Sequence, residues 1–413
     1  MDSIDPRPLG PRGWTALLFL GFASGLPLIL TDSTLKVWIQ DAGVPIQTIG
    51  FFSLVQLPYN LKFLWAPLLD RFVPPLLGRR RGWLILTQMG LVLALGALAF
   101  ADPKGGLSLM AALAFGVAFL SASQDIASDA WRTEILPKAD QGTGITTHIA
   151  AYRVAILAAS AGALLLADLA GWRATYLAMA GCMILGPLGA LLAREPEGAA
   201  LPRTLKEAVV EPFRNFLGRE GAGLALLFIV LYKLGDQLAN SLAPNFLRNL
   251  GFTKTAIGSI TKGVGLPALL VGGYLGGWLM RRWSLRKALF IFGIFQVAAI
   301  LVLLIPAAVG PRIPALVVAI GFENLGFGMG VAAYMTLIMR LCDLRFTGTQ
   351  FSLLTSLAAL PRTLMAAPAG FAAAFYGWPG YFVLCALAAL PGLLMLALYE
   401  RWGPHEEEAR APR

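Results

Sequence analysis

Residues 153–176 read RVAILAASAGALLLADLAGWRATY, and residues 362–381 read RTLMAAPAGFAAAFYGWPGY. Both stretches hold an arginine, an Ala-Gly pair, a Gly-Trp pair and a tyrosine in one order. These are Arg153, Ala161-Gly162, Gly171-Trp172 and Tyr176 against Arg362, Ala369-Gly370, Gly377-Trp378 and Tyr381. A similar spacing, half the chain, relates Thr48-Ile49-Gly50 and Leu57-Pro58 to Ala256-Ile257-Gly258 and Leu266-Pro267. It also relates Gly78-Arg79-Arg80-Arg81 to Met280-Arg281-Arg282. One such match in an apolar sequence means little. In series they indicate a parallel repeat of six segments, with a site between the halves near mid-membrane.

The rest of the sequence fits that frame. The chain has 413 residues, 57% of them hydrophobic and 14% charged, against ~25% charged in soluble domains. Its mean hydropathy is +0.70. This excludes a disordered chain, a coiled coil and an ordinary soluble enzyme, and leaves a polytopic membrane protein. Twelve apolar segments are expected near 13–39, 47–69, 82–101, 107–135, 140–168, 171–193, 220–248, 254–280, 285–308, 312–341, 347–375 and 379–400. They are too long and too uniformly apolar for barrel strands, so they read as helices. The first lacks a cleavable-signal pattern and reads as a first transmembrane helix. Short loops leave no room for a soluble ATPase domain. Residues 1–193 then form one six-helix bundle and 220–413 another, joined by the polar, basic linker 194–219, where Leu205 to Phe216 suits a short interfacial helix.

The net charge of +10 invites a nucleic-acid reading, but the cations cluster at the ends of apolar runs. With the N-terminus inside, 21 of the 33 Lys and Arg fall in inner segments and five in outer loops. That bias predicts cytoplasmic N- and C-termini and no nucleic-acid partner. Cys182, Cys342 and Cys385 lie in or beside apolar runs and read as core residues. His148 and His405 are too few and too distant for a metal cluster, and no cofactor is called for.

Two sets of residues carry a family likeness. Asp70-Arg71 to Gly78-Arg79-Arg80-Arg81 resembles the loop signature of the major facilitators. Gln124-Asp125-Ile126 with Asp129-Ala130-Trp131-Arg132, Tyr232-Lys233-Leu234-Gly235-Asp236, Phe322-Glu323-Asn324-Leu325 with Gly328-Met329-Gly330, and Thr349-Gln350-Phe351 with Arg362 resemble the AmpG muropeptide permeases. The likeness runs from about Gly21 to Leu396. It implies an all-α polytopic protein with the major facilitator fold, twelve transmembrane helices in two pseudo-symmetric six-helix bundles. It further implies a monomeric bacterial inner-membrane importer that moves N-acetylglucosaminyl-1,6-anhydro-N-acetylmuramic acid and its peptide forms from periplasm to cytoplasm, driven by protons. Such an importer serves peptidoglycan recycling and feeds β-lactamase induction. Another cargo on the same fold (a sugar, an acetyl carrier or a drug) is the alternative. A polytopic transferase holding a metal between Asp125 and Asp129 is a weaker one, since Arg132 sits beside that pair and no second acidic cluster exists.

A charge at a helix centre costs ~2.5–3.5 kcal/mol, so the seven cations and about five anions well inside spans must face water or one another. On the fourth helix Asp125, Asp129 and Arg132 share a face, with Gln124 beside them. Asp129 and Arg132 read as a pair or an inner gate. Asp125, deeper and without a cation in its own turn, reads as the proton carrier. On the seventh, Lys233, Asp236, Gln237 and Asn240 form a matching stripe, with Lys233 and Asp236 either paired or shared with substrate. Asp32 and Lys36 read as an internal pair. Glu323 and Asn324 interrupt the apolar run of the tenth segment, and Glu323 is either a titrating group or an inter-helix tie. Arg153 and Arg362 are placed to grip a carboxylate, or to lock a helix onto an acidic neighbour. Lys62 and Lys262 line the pore with no sharper role. The expected proton-coupling set is therefore Asp125, Asp129, Asp236 and Glu323. The expected substrate set is Gln124, Tyr152, Arg153, Lys233, Gln237, Asn240, Asn324 and Arg362. The expected gating set is Asp70, Arg71, Arg79, Arg80, Arg132 and Arg281.

Overall fold

In the computed structural model, residues 8–75, 77–197 and 202–404 are described, and every regular element among them is a helix. His405, Arg410 and Arg413 lie outside the described residues. Nine continuous helical stretches among the described residues are long and apolar enough to cross a membrane. The other three expected segments are hidden by the way the helices break and join.

The second segment is a chain of short turns, Ile46–Phe51, Phe52–Gln56, Leu57–Leu61, Lys62–Leu64 and Ala66–Arg71. Pro58 and Pro67 stand in the first turns of two of these pieces. Proline has no N–H to continue a preceding helix. The fifth and sixth segments run together over 141–192 and turn at Gly171, whose φ of 80° is open to glycine but strained for other residues. The eleventh and twelfth join in the same way at Gly377, with φ 67°. These are the Gly-Trp pairs of the repeat.

Two further breaks respect the repeat. The first segment ends a helix at Leu30 and resumes at Ser33–Asp41, and the seventh ends one at Tyr232 and resumes at Leu234–Asn249, broken at Lys233. A break leaves carbonyls without helical partners. The Tyr176 hydroxyl donates to the Leu30 carbonyl at 2.8 Å, out of reach of water. The tenth helix, Ile313–Leu341, is continuous through Glu323 and Asn324 and matches the fourth, Leu107–Ile135, in length.

The chain condenses into two units. The first comprises Met1–Lys138, Thr147–Phe213 and Asp343–Ser352. The second comprises Ala139–Thr146, Arg214–Cys342 and Leu353–Arg413. The first thus includes the start of the eleventh segment and the second includes the start of the fifth. Leu26, Leu30, Trp38, Leu91, Met110 and Tyr176 anchor the core of the first unit. Phe246, Leu247, Ile300, Leu316, Tyr381 and Phe382 anchor that of the second. Leu93, Leu169, Phe371 and Phe375 stay largely exposed, as suits helices whose outer surface meets hydrocarbon. In the linker, Leu205–Leu217 is a helix that buries Ala208, Pro212 and Phe216 on one face.

Close helix contact in the second unit depends on missing side chains. A Cβ at Gly328 would strike the Leu269 carbonyl, and one at Gly272 the Leu325 carbonyl. The eighth and tenth helices therefore pack backbone against backbone. Gly328→Val should lower the melting temperature of the detergent-solubilised protein sharply, since overpacking costs ~1–3 kcal/mol or more. Gly263→Ala, with open space around its Cβ position, should leave it nearly unchanged in the same thermal-shift assay.

Candidate transport site

The basic run after the second segment is not a solvated loop. Arg79 and Arg80 open the helix Arg79–Leu98, and Arg80 is fully buried. The Arg80 guanidinium bonds Glu134 through Nε, at 3.0 Å, and through Nη2, and contacts Asp70 at 2.9 Å. Arg79 reaches the same Glu134 at 3.2 Å. Gly78 enters with φ 86°, and the Glu195 carboxylate accepts from the backbone N–H of Arg80 at 2.8 Å and of Arg81 at 2.9 Å. An acid at a helix N-terminus satisfies orphan donors and complements the dipole. Asp70 works the same way on another helix. It accepts from the N–H of Gly348 at 3.2 Å and from the N–H and hydroxyl of Thr349, each at 2.7 Å, at the start of Thr347–Leu364. Arg71 instead donates to the Arg203 carbonyl at 2.9 Å. In the second unit Arg281 pairs with Asp140 at 2.7 Å while remaining half-exposed. The two basic runs are thus related in sequence but differ in environment.

Higher in the first unit, Asp129 lies between two cations, Arg132 at 2.7 Å and Lys62 at 3.6 Å. Lys62 comes from the broken second segment and gives this otherwise local pair a partner from another helix. Asp125 has Lys62, Asp129 and Arg132 within electrostatic range, and Ser24 beside it, but makes no ion pair within 4.0 Å among the described residues. Tyr59 and Tyr152 stand close to it. The hydroxyls of Ser24, Tyr59 and Ser121 are buried around it. Gln124 is fully buried and donates to the Ala23 carbonyl at 2.9 Å, tying the fourth helix to the first. Arg153 Nε is also buried without a partner among the described residues.

The second unit holds a corresponding cluster. Lys233, at the break of the seventh segment, bonds Asp236 at 2.7 Å and Gln296 at 3.5 Å, and lies 4.7 Å from the Phe327 ring centroid. Asn240 donates to the Asp236 carbonyl at 3.0 Å. Glu323 has Asp236, Lys233 and Asn240 nearby and accepts from Asn324 at 2.7 Å, yet has no cation within 4.0 Å among the described residues. Gln237 donates to the Ala358 carbonyl at 2.9 Å. Asp32 and Lys36 form their pair at 2.5 Å. The side chain of Arg362 lies outside the described residues.

Asp129 and Asp236 are thus held in ion pairs, while Asp125 and Glu323, on the fourth and tenth helices, make none within 4.0 Å among the described residues. The family model of the Major Facilitator Superfamily matches residues 17–366 and 225–413. The anhydromuropeptide permease of Escherichia coli K12 is 46% identical over 92% of this chain and 78% of its own. The chain belongs to the Major Facilitator Superfamily, among the AmpG-type permeases. Solved major facilitators share its fold at low identity. The fucose transporter FucP in the outward conformation has a TM-score of 0.69 at 15% identity, over 93% of this chain and 98% of that one. The proton:xylose symporter XylE has 0.65 at 12%, over 94% of each. Twelve helices, the transporter class and the absence of an enzymatic role stand as read from the sequence.

Among the described residues of this permease, the charge on Glu134 is held only by Arg79 and Arg80. Glu134→Gln leaves Arg79 and Arg80 short of an anion in a buried site, a change that costs ~3–5 kcal/mol. The expected result is a strongly reduced folded yield and melting temperature in detergent. Glu400→Gln, which touches only the exposed pair with Arg286, should change neither.

Proposed function

We propose that the protein is a proton-coupled importer of anhydromuropeptides, with or without peptide. It works by alternating access in the bacterial inner membrane, as a monomer with both termini in the cytoplasm, and serves peptidoglycan recycling. The observation that carries the reading is the extent and level of its identity to a permease of that name. The two repeat halves, 1–193 and 220–413, are the bodies that move, joined by 194–219.

In this scheme Asp125 carries the proton. A coupling group has to exchange protons with water in one state and bury the neutral acid in the other, so a carboxylate locked to a cation is poorly suited. Asp129 and Asp236 are locked in that way, while Asp125 and Glu323 are not. Substrate is gripped by Arg153 and Arg362 and by the polar stripe of Lys233, Gln237, Asn240 and Asn324, with Gln124 and Tyr152 shaping the wall. Protons load from the periplasm and leave toward the cytoplasm as the carrier turns over.

Uptake of labelled anhydromuropeptide into proteoliposomes with an imposed pH gradient tests the function, and absence of gradient-driven uptake would refute it. Asp125→Asn is expected to abolish accumulation above equilibrium and to keep counterflow, the exchange of internal for external substrate. Accumulation by that variant in response to a pH gradient would move the assignment to Glu323 or Asp236. The network of Asp70, Arg79 and Arg80 governs exchange between conformations in this scheme. Conservative Arg80→Lys, which keeps the charge and loses the forked geometry, should slow counterflow while leaving the half-saturation concentration little altered.

A further inference from the structure

The outer part of the eighth helix carries a polar stripe that the proposed transport cycle leaves unused. Thr255, Ser259 and Lys262 are spaced i, i+4 and i+7, so they lie on one helical face, and all three are exposed. At Lys262 the backbone opens into a π-helical turn, Thr261–Gly265, a feature that recurs at functional sites. Gly258 and Gly263 flank the stripe with open space where a Cβ would stand. Lys262 forms no ion pair or hydrogen bond among the described residues. Two acids within spans of its own unit are engaged elsewhere, Asp236 with Lys233 and Glu323 with Asn324. A lipid-facing stripe of two hydroxyls and a cation inside a span of 26 residues would be costly. A wet passage is the setting that accommodates it.

Depth supplies the second argument. Lys262 stands eight residues from the Lys254 end of its helix, and Lys233 sixteen from the Asn249 end of its own. At ~1.5 Å rise per residue these are about 12 and 24 Å. The two ends are joined by a short connection, so the two lysines of this unit differ in depth by about 12 Å. Three extended peptide residues span about 10 Å.

We infer that Lys262 is a specificity-determining residue that binds a carboxylate on the peptide of a peptide-bearing sugar acid, while the sugar acid lies at the level of Lys233. This rests on the proposed function and adds a subsite to it. The peptide trails toward the outer end of the helix, and the hydroxyls of Thr255 and Ser259 offer hydrogen bonds to its amides. A free cation contributes a charge-assisted hydrogen bond that the peptide-free disaccharide, which does not reach it, never makes.

The test uses the full chain in proteoliposomes under a fixed pH gradient. Uptake is measured for the labelled peptide-free disaccharide and for its tripeptide form, with wild type, Lys262→Gln and Lys262→Arg. Loss of the contact in Lys262→Gln should lower kcat/KM for the tripeptide form about tenfold, leave the peptide-free form unchanged, and be restored by Lys262→Arg. Equal loss for both substrates, or no loss for either, overturns the inference and returns Lys262 to a general lining or lipid-surface role. If the wild type takes up neither compound, the proposed function itself fails, and that outcome is distinct from either result.

Discussion

Hydrocarbon does not hydrate a charge, and the cost of ignoring this, ~2.5–3.5 kcal/mol per group, rivals a large share of a protein's net stability. Glu134 shows how the constraint is met. Its single carboxylate neutralises Arg79 and Arg80 at once, and Arg80 passes the charge on to Asp70. Asp70 in turn caps the helix that starts at Thr347. Remove one member and the others are left charged in a site without water. The positions of two helix starts, the end of the second segment and the Ile135 end of the fourth are tied to this one balance.

The same requirement sorts the mid-membrane acids. Asp129 and Asp236 are held by cations a single helical turn away and rigidify their helices. Asp125 and Glu323 sit among neutral or shared partners, where gaining or losing a proton changes the local charge balance. Fixed pairs give the carrier a stable wall. In the proposed cycle the acids outside those pairs are the groups that carry protons. The broken first and seventh segments add backbone groups freed from helical bonding beside these clusters, a recurring device in transporters.

The sequence revealed what is periodic or local. Apolar runs, the half-chain repeat and cation bias fixed the segments, and the Gly-Trp pairs proved to be the turns at Gly171 and Gly377. The pairs Asp32–Lys36, Asp129–Arg132 and Lys233–Asp236 were legible because helical spacing alone brings their members together. Lys62–Asp129, Arg80–Glu134 and Glu195 on the Arg79 helix were not. Their members are 54 to 115 residues apart, and nothing in spacing tells which of many charges meet. The basic run at Arg79 to Arg81 was read as part of a loop signature, whereas it opens a helix whose Arg79 and Arg80 meet a buried acid from elsewhere in the chain. The second segment kept its apolar character but not its regularity, since Pro58 and Pro67 act on backbone that hydropathy does not see.

The cap on the Thr347 helix also sets an order of events during synthesis. Asp70 leaves the ribosome long before Gly348 and Thr349, which follow 278 and 279 residues later. At ~5–20 residues per second the wait is roughly fifteen seconds to a minute. Throughout it the first unit is a nascent membrane body with one carboxylate lacking its final donors and a slot awaiting a late segment. Chain truncations that stop before residue 343 leave that unit unfinished however complete the first six segments are. The cap therefore closes only once the eleventh segment has been made, the last contact that the first unit gains.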